Sequence, residues 1–403
     1  MKRTISIALV LVMCVAFVLV GCTQQAQTTT ASETQQTAAA VTTTTSAPAV
    51  TESATETQAP ATIDYKKFKI DPAKISQEKL NTTLYIAASV RGLDNPYIVT
   101  IIQGMDLFGK YLDSIAQKYQ KQTLDSGGSN DKEVDNMKQF SAKAGGNAIA
   151  YSDPNESAIA PALVEAMASS GGFIGTAWNK PVDVNPWDYD PNWVIHTSPD
   201  NILGGYNITK ALSDAIGGSG EIFVLEGMLG NTAATDRAKG LEKYLAENAK
   251  IKVVNRDTAN WDTKQALNLT ETWLSKNPNV KGIWCANDNM ATGVIQALDK
   301  AGLKGKVAVV GIDATTDMIK AIDAGYATAT VSSNGYLQGG YTLAICYAAW
   351  AGLIDPKVMP HAFREFATPS MLVTKDNVKQ YIADYIDKAP QMDFSNIFWC
   401  KAD

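Results

Sequence analysis

Leu84-Tyr85-Ile86-Ala87-Ala88-Ser89-Val90 is an uninterrupted apolar run of strand length, followed at once by the polar turn Arg91-Gly92-Leu93-Asp94-Asn95 and a helical pattern to about Leu112. A buried strand feeding an amphipathic helix is the unit of a parallel sheet covered on both faces. The unit recurs: Ala148 to Tyr151, Phe173 to Trp178, Ile222 to Leu225, Val253 to Val254, Val280 to Trp284 and Val307 to Ile312 are each followed by a polar turn and a helix. This alternation predicts an α/β protein, and 403 residues are too many for one ordinary core, so two lobes are expected. Ligands of such sheets sit outside the carboxyl ends of the strands. The positions there are Arg91, Asn95 and Tyr97, then Asp153, Trp178 and Asn179, Arg237, Trp261, Asn287 and Asp288, and Asp313. Amides, carboxylates, guanidinium groups and indoles dominate this set, with hardly a nucleophile and base among them. It suits a neutral polyhydroxylated ligand, whose C–H faces stack on rings while its hydroxyls pair with planar polar groups.

The ends of the chain are of a different kind. Lys2 and Arg3 precede an apolar core, Ile5 to Val20, too short for a stable membrane span, which reads as a secretory signal. Its ending, Leu19-Val20-Gly21-Cys22, resembles the bacterial lipobox, so residues 1–21 are expected to be removed and the Cys22 thiol to carry lipid. Two or three acyl chains make a lasting anchor, which places the protein on the outer face of the cell membrane. Residues 22–62 beyond the cysteine use only Thr, Gln, Ala, Ser, Glu, Val and Pro and are expected to be a disordered tether, reaching at most about 130 Å. Cys285, Cys346 and Cys400 remain once Cys14 leaves with the signal. An odd, widely spaced set is no disulfide framework; the first two read as small core residues and Cys400 is left open.

Composition removes several function classes. The net charge of −6, with no basic cluster interleaved with aromatics, excludes nucleic acid as partner. Two distant histidines, His196 and His361, give no zinc site. Neither a G-x-S-x-G elbow nor a G-x-x-x-x-G-K-[ST] loop occurs, and Gly217-Gly218-Ser219-Gly220 precedes its strand where a dinucleotide cradle would follow one. No metal or cofactor is expected.

Five segments, Leu93-Asp94-Asn95-Pro96-Tyr97, Asp200 through Gly205, Gly227 through Arg237, Ala286 through Ala291 and Val310-Gly311-Ile312-Asp313, resemble the ribose-type periplasmic sugar-binding proteins, in order and at similar spacing from about Thr82 to Lys375. The resemblance implies two doubly wound parallel-sheet lobes joined by a three-crossing hinge, the type I periplasmic-binding-protein fold. The crossings should fall near Thr197, Ser333 and Phe366, giving a first lobe of 81–196 plus 334–364 and a second of 197–333 plus 365–403. By the match, Asn95 and Tyr97 are first-lobe sugar contacts, Arg237 bonds sugar oxygens, Trp261 stacks, Asn287 and Asp313 hydrogen-bond, and Ser333 stands where the family often has Gln. Two departures stand out. Ile98 replaces a second sandwiching aromatic, and Trp178-Asn179 replaces an Asp-Arg pair, so the first-lobe half is rewritten and the ligand is expected to be a monosaccharide or polyol rather than ribose by default.

The implied role is that of a monomeric, lipid-anchored receptor which closes on its sugar and delivers it to an ABC permease and its ATPase subunits, with no catalysis of its own. A sensor protein reading the same closed state is an alternative partner, and a carboxylate-based glycoside hydrolase using Asp313, Asp153 and Asp94 the alternative chemistry. Repressors that share this fold are excluded by the export signal and the lack of a basic helix-turn-helix. Each residue also has a plainer role open to it: Asp288 is expected to cap a helix, and Arg237, Trp178, Trp261 and Asn287 are expected in the pocket rather than on the surface, in the core or at a cap. Asp153 and Arg91 are left open, as is loop 181–193, which would rim the cleft or contact a partner.

Overall fold

The computed structural model describes residues 63–388, 390–398 and 401; the expected signal segment, Cys22, the tether and Cys400 lie outside them. A short helix α1 (Gln77–Asn81) leads into β1 (Leu84–Val90). The first sheet also takes β2 (Tyr119–Asp125), β3 (Ala148–Ser152), β4 (Phe173–Ala177), β5 (Trp193–Pro199) and a late strand, β11 (Glu365–Thr368), in the order β11-β5-β4-β3-β1-β2, all parallel. The second holds β6 (Gly220–Glu226), β7 (Ile251–Thr258), β8 (Gly282–Cys285), β9 (Ala308–Asp313), β10 (Ala329–Ser332) and β12 (Met371–Thr374), in the order β12-β10-β9-β8-β6-β7, with β12 antiparallel. Two doubly wound lobes result, each with its own apolar core.

Helices begin just past the strand ends because a capping side chain stands there. Asn95 accepts from Tyr97 N at 2.9 Å and opens α2 (Pro96–Ser114) with Pro96 at the first position. Ser129 opens α3 (Asn130–Ala144), and α4 (Ala160–Ala168) follows β3. In the second lobe Asp200, Asn231, Asp262, Asn287 and Thr315 cap α5 (Asn201–Ala215), α6 (Thr232–Glu247), α7 (Thr263–Lys276), α8 (Asp288–Lys300) and α9 (Thr316–Asp323). The helix α10 (Gly335–Trp350) is buried on every side against the first sheet and α2, which explains its apolar sequence.

The chain passes between sheets after β5, between β10 and α10, and between β11 and β12, as a three-crossing hinge requires. The expected assignment of 365–403 to the second lobe is corrected at both ends. Glu365–Thr368 pairs in parallel with β5 in the first sheet, a strand too short to show a sequence period. After α11 (Val378–Tyr381) and Ile386, packed on the second core, the chain crosses a fourth time: Met392, Phe394, Ile397 and Phe398 join the first lobe, where Phe398 meets Tyr65, Phe68 and Phe363. Aromatic side chains with no other cover are thereby buried.

Loop 181–193 is held by Arg364, which is only 1% exposed: Nε donates to Val194 O at 3.1 Å, Nη1 to Pro356 O at 3.0 Å and Nη2 to Pro186 O at 3.2 Å, with Asp190 paired to Nη1. Trp187 stacks on His361 with centroids 3.8 Å apart. Cys285 and Cys346 are buried free thiols in the cores.

Candidate functional site

The turns after β1, β3 and β4 face those after β7, β8 and β9 across one cavity. Arg91, Asn95, Tyr97, Ile98, Asp153, Trp178 and Asn179 line it from the first lobe; Asn231, Ala233, Arg237, Trp261, Asn287 and Asp313 from the second. Both walls lie where strand order reverses, between β1 and β3 and between β6 and β8, the crevice that doubly wound sheets offer to ligands.

Arg237 is placed by backbone proximity. A Cβ on Gly205 would stand 2.1 Å from Arg237 O, so only glycine lets α5 and α6 cross this closely. The guanidinium, 3% exposed by residue, then donates through Nε to Asn201 Oδ1 at 3.0 Å and through Nη1 to Ala286 O at 2.7 Å. Its Nη2 stands 3.8 Å from Asp313 Oδ1. The guanidinium carbon lies 4.9 Å from the Trp178 ring and 5.5 Å from that of Trp261, one indole from each lobe. Trp261 occupies space left by Gly227, where a Cβ would come within 2.0 Å of the indole.

Backbone strain marks the same residues. Among the described residues seven non-glycines have positive φ, and Trp178 (+64°), Trp261 (+64°) and Asp313 (+130°) are three of them. Bulky side chains hold such φ values only where the surroundings impose them, and such strain clusters at functional sites.

Burial shapes the charges. It pushes the Asp313 carboxyl well above the usual carboxylate range, against the pull of Arg237 and an Asn287 hydrogen bond. It pushes Asp153 up to about 6, opposed by Arg91 and by Asn179, whose Nδ2 donates to Asp153 Oδ1 at 3.2 Å. It also draws Arg237 and Arg91 below their ordinary values. Two guanidinium groups and two carboxyl groups share the cavity.

Eight of the nine residues expected from sequence come together here: Asn95, Tyr97, Trp178, Asn179, Arg237, Trp261, Asn287 and Asp313. Ser333 is the exception and is corrected: it stands just past β10, in a separate cavity at the chain crossings with Gln338 and Thr368. Gln338 instead reaches the site through Tyr97, whose hydroxyl donates to Gln338 Oε1 at 3.0 Å. Asn287 both lines the cavity and caps α8, accepting from Met290 N at 3.0 Å. Asp288 is not the cap; it is fully buried as the first residue of α8 and accepts from Thr315 N and Thr330 Oγ1, each at 2.8 Å. Arg91 and Asp153, left open by sequence, are both on the wall, whereas Asp94 is exposed and is not, and loop 181–193 does not line it. Asn231, Ala233 and Gln338 were missed. The signal for the first was a capping Asn six residues before Arg237; for the last, a lone amide in an otherwise apolar helix.

Residues 86–353 match the periplasmic binding protein domain. The chain belongs to that family. Over 229 residues it is 33% identical to the xylitol-binding protein of Mycolicibacterium smegmatis, covering 56% of this chain and 63%, under two thirds, of that one. Over 257 residues it is 31% identical to the ribose import binding protein of Haemophilus influenzae, 63% of this chain and 81% of that one. Among solved structures, a twin-arginine translocation pathway signal protein from Burkholderia phytofirmans superposes with a TM-score of 0.75 at 33% identity, covering 80% of this chain and 98% of that one. The family is one of binding proteins with two parallel-sheet lobes, the fold described above, and its placement is extracytoplasmic.

Proposed function

We propose that this chain is the substrate receptor of an ABC importer for a neutral monosaccharide or polyol, tethered to the outer face of the membrane through lipid on Cys22. One observation carries the ligand class: buried Arg237, Asp313 and Asn287 from one lobe face Asp153, Arg91 and Trp178 from the other around a single cavity. Such groups, alternating donor and acceptor beside indole rings, complement a ring or chain of hydroxyls with apolar C–H faces. The relatives named for xylitol and ribose support the same class. Contacts drawn from both lobes mean that ligand binds the closed arrangement best, so occupancy reports closure to a permease. Departures at Ile98 and at Trp178-Asn179 argue for a ligand other than ribose.

A thermal-shift screen with neutral pentoses, hexoses, polyols and inositols, and with amino acids, nucleosides and sugar phosphates as counter-classes, tests the reading. A rise in melting temperature with one or more neutral polyhydroxyl compounds is expected. A response confined to a counter-class overturns it.

A further inference from the structure

The first N–H groups of a helix have no partner inside that helix and must find one elsewhere. On α6 of the second lobe they are divided between two owners. Asn231 serves one of them, its Oδ1 accepting from Ala234 N at 3.1 Å. The other two cross to the first lobe: Thr232 N donates to Ser157 Oγ at 3.1 Å, and Ala233 N to Asn179 Oδ1 at 3.4 Å.

Four more hydrogen bonds surround these. Ser157 N donates to Gly230 O at 3.1 Å, Asn231 Nδ2 to Asn155 O at 3.4 Å, and Thr232 Oγ1 to Lys180 O at 3.1 Å, while the Ser157 and Thr232 hydroxyls bond each other. Since Thr232 spends its one hydroxyl proton on Lys180 O, Ser157 supplies the proton between the two hydroxyls. Ala233, 4% exposed, joins the apolar cluster of the first lobe. All these partners are protein atoms, so the contacts form on closure whether or not the cavity is filled.

We propose that the N-terminus of α6, with Ser157 and Asn179, is a latch that favours the closed arrangement without ligand. Asn179 joins this latch to the site, because the amide whose oxygen accepts from Ala233 N donates through Nδ2 to Asp153 Oδ1 at 3.2 Å and to Pro154 O at 2.9 Å. It is a positioning residue: a ligand that engages Asp153 fixes the amide that holds α6. The latch leaves part of the closing free energy to contacts other than the ligand, so affinity is set partly by residues that need not touch it. That last statement rests on the receptor function proposed above; the latch itself does not.

Hydrogen exchange of the Thr232 and Ala233 amides in the full chain, without ligand, tests it. Protection of both amides is expected, because Thr235 onward is shielded by the helix itself but these two only by the other lobe. Thr232→Val and Ser157→Ala, which each remove a hydroxyl from the latch, should speed their exchange roughly tenfold, as expected for one or two net hydrogen bonds. Thr232→Ser, which keeps the hydroxyl, should remain near the parent rate. With any ligand found in the screen, Thr232→Val should raise the dissociation rate by a similar factor. Exchange of both amides in the parent protein at the rate of unstructured peptide, or an unchanged rate in Thr232→Val, overturns the latch. Protection as expected in a chain that binds no sugar retains the latch and removes the receptor reading.

Discussion

Arg237 Nη2 and Asp313 Oδ1 stand 3.8 Å apart, with their side chains 4% and 5% exposed. That gap is too long for a hydrogen bond, so the pair attract without consuming each other's donors and acceptors, and a ligand hydroxyl can bond both. Asp313→Ala and Arg237→Ala should therefore each weaken binding at least tenfold by calorimetry, since losing a charged partner of a buried polar group costs about 1–3 kcal/mol or more. Asp313→Asn, which retains an acceptor, should lose less. Breaking a buried pair also destabilises, so the melting temperature of each variant is measured beside its affinity. Near-native affinity in both alanine variants contradicts the site.

The two indoles divide the apolar contact between the lobes. Trp261→Phe should be mild and Trp261→Ala severe, because surface matters more here than the indole N–H. Trp178→Ala should weaken binding about as much as Trp261→Ala and change the rank order of sugars, since Trp178 and Ile98 line the same cavity from the first lobe. An unaltered preference in Trp178→Ala would show that this indole serves only to hold Arg237.

Stability should fall as pH rises through the neutral range. Glu133, fully buried, accepts from Ser89 Oγ at 3.2 Å, Ser152 Oγ at 3.4 Å and Asn155 N at 3.0 Å, and burial pushes its carboxyl up to about 7 from 4.5. The folded chain thus holds a proton that the unfolded chain releases between pH 4.5 and 7. Stability declines across that window and levels off above it. Asp153, pushed up to about 6, and Asp288, to about 7, act in the same sense. His196, which burial draws down to about 3 from 6.5, opposes them below pH 6.5 as one group against three; Asp384 and Asp393 shift downward but are exposed and weigh little. The melting temperature should be higher at pH 5 than at pH 8, and Glu133→Gln should reduce the difference; a rise toward pH 8 in the parent protein contradicts this.

The proposed lipid anchor on Cys22 should be independent of ligand binding. Cys22→Ser should release the protein into the medium with its ligand affinity unchanged, checked by fractionation and calorimetry. Retention on salt-washed membranes counts against lipid on Cys22.

Much of the fold was legible because buried parallel strands are continuous apolar runs, β1 and β9 above all. The polar edge strand β2 showed no such run, since only Leu124 of it is buried. The crossing of the tail was hidden because Phe394, Ile397 and Phe398 announce burial but not the lobe that receives them. The site was legible wherever a residue able to contact a ligand stands at or just past the carboxyl end of a strand, as with Trp178, Asn287 and Asp313. Ser333 met that rule and still fell outside the cavity, because it lies where the chain leaves the sheet for the other lobe. Ser157 and Thr232 were invisible for a different reason: a hydroxyl one residue into a helix reads as ordinary helix chemistry until the opposite lobe is seen against it.

The most direct test of the central claim is recovery of the ligand itself. The chain is equilibrated with the neutral sugar or polyol that stabilises it most, separated from free ligand, and the bound compound released and identified by mass spectrometry. The account predicts one unmodified molecule per chain, lost in Asp313→Ala. A cleaved or otherwise altered product, or full occupancy in Asp313→Ala, would contradict it.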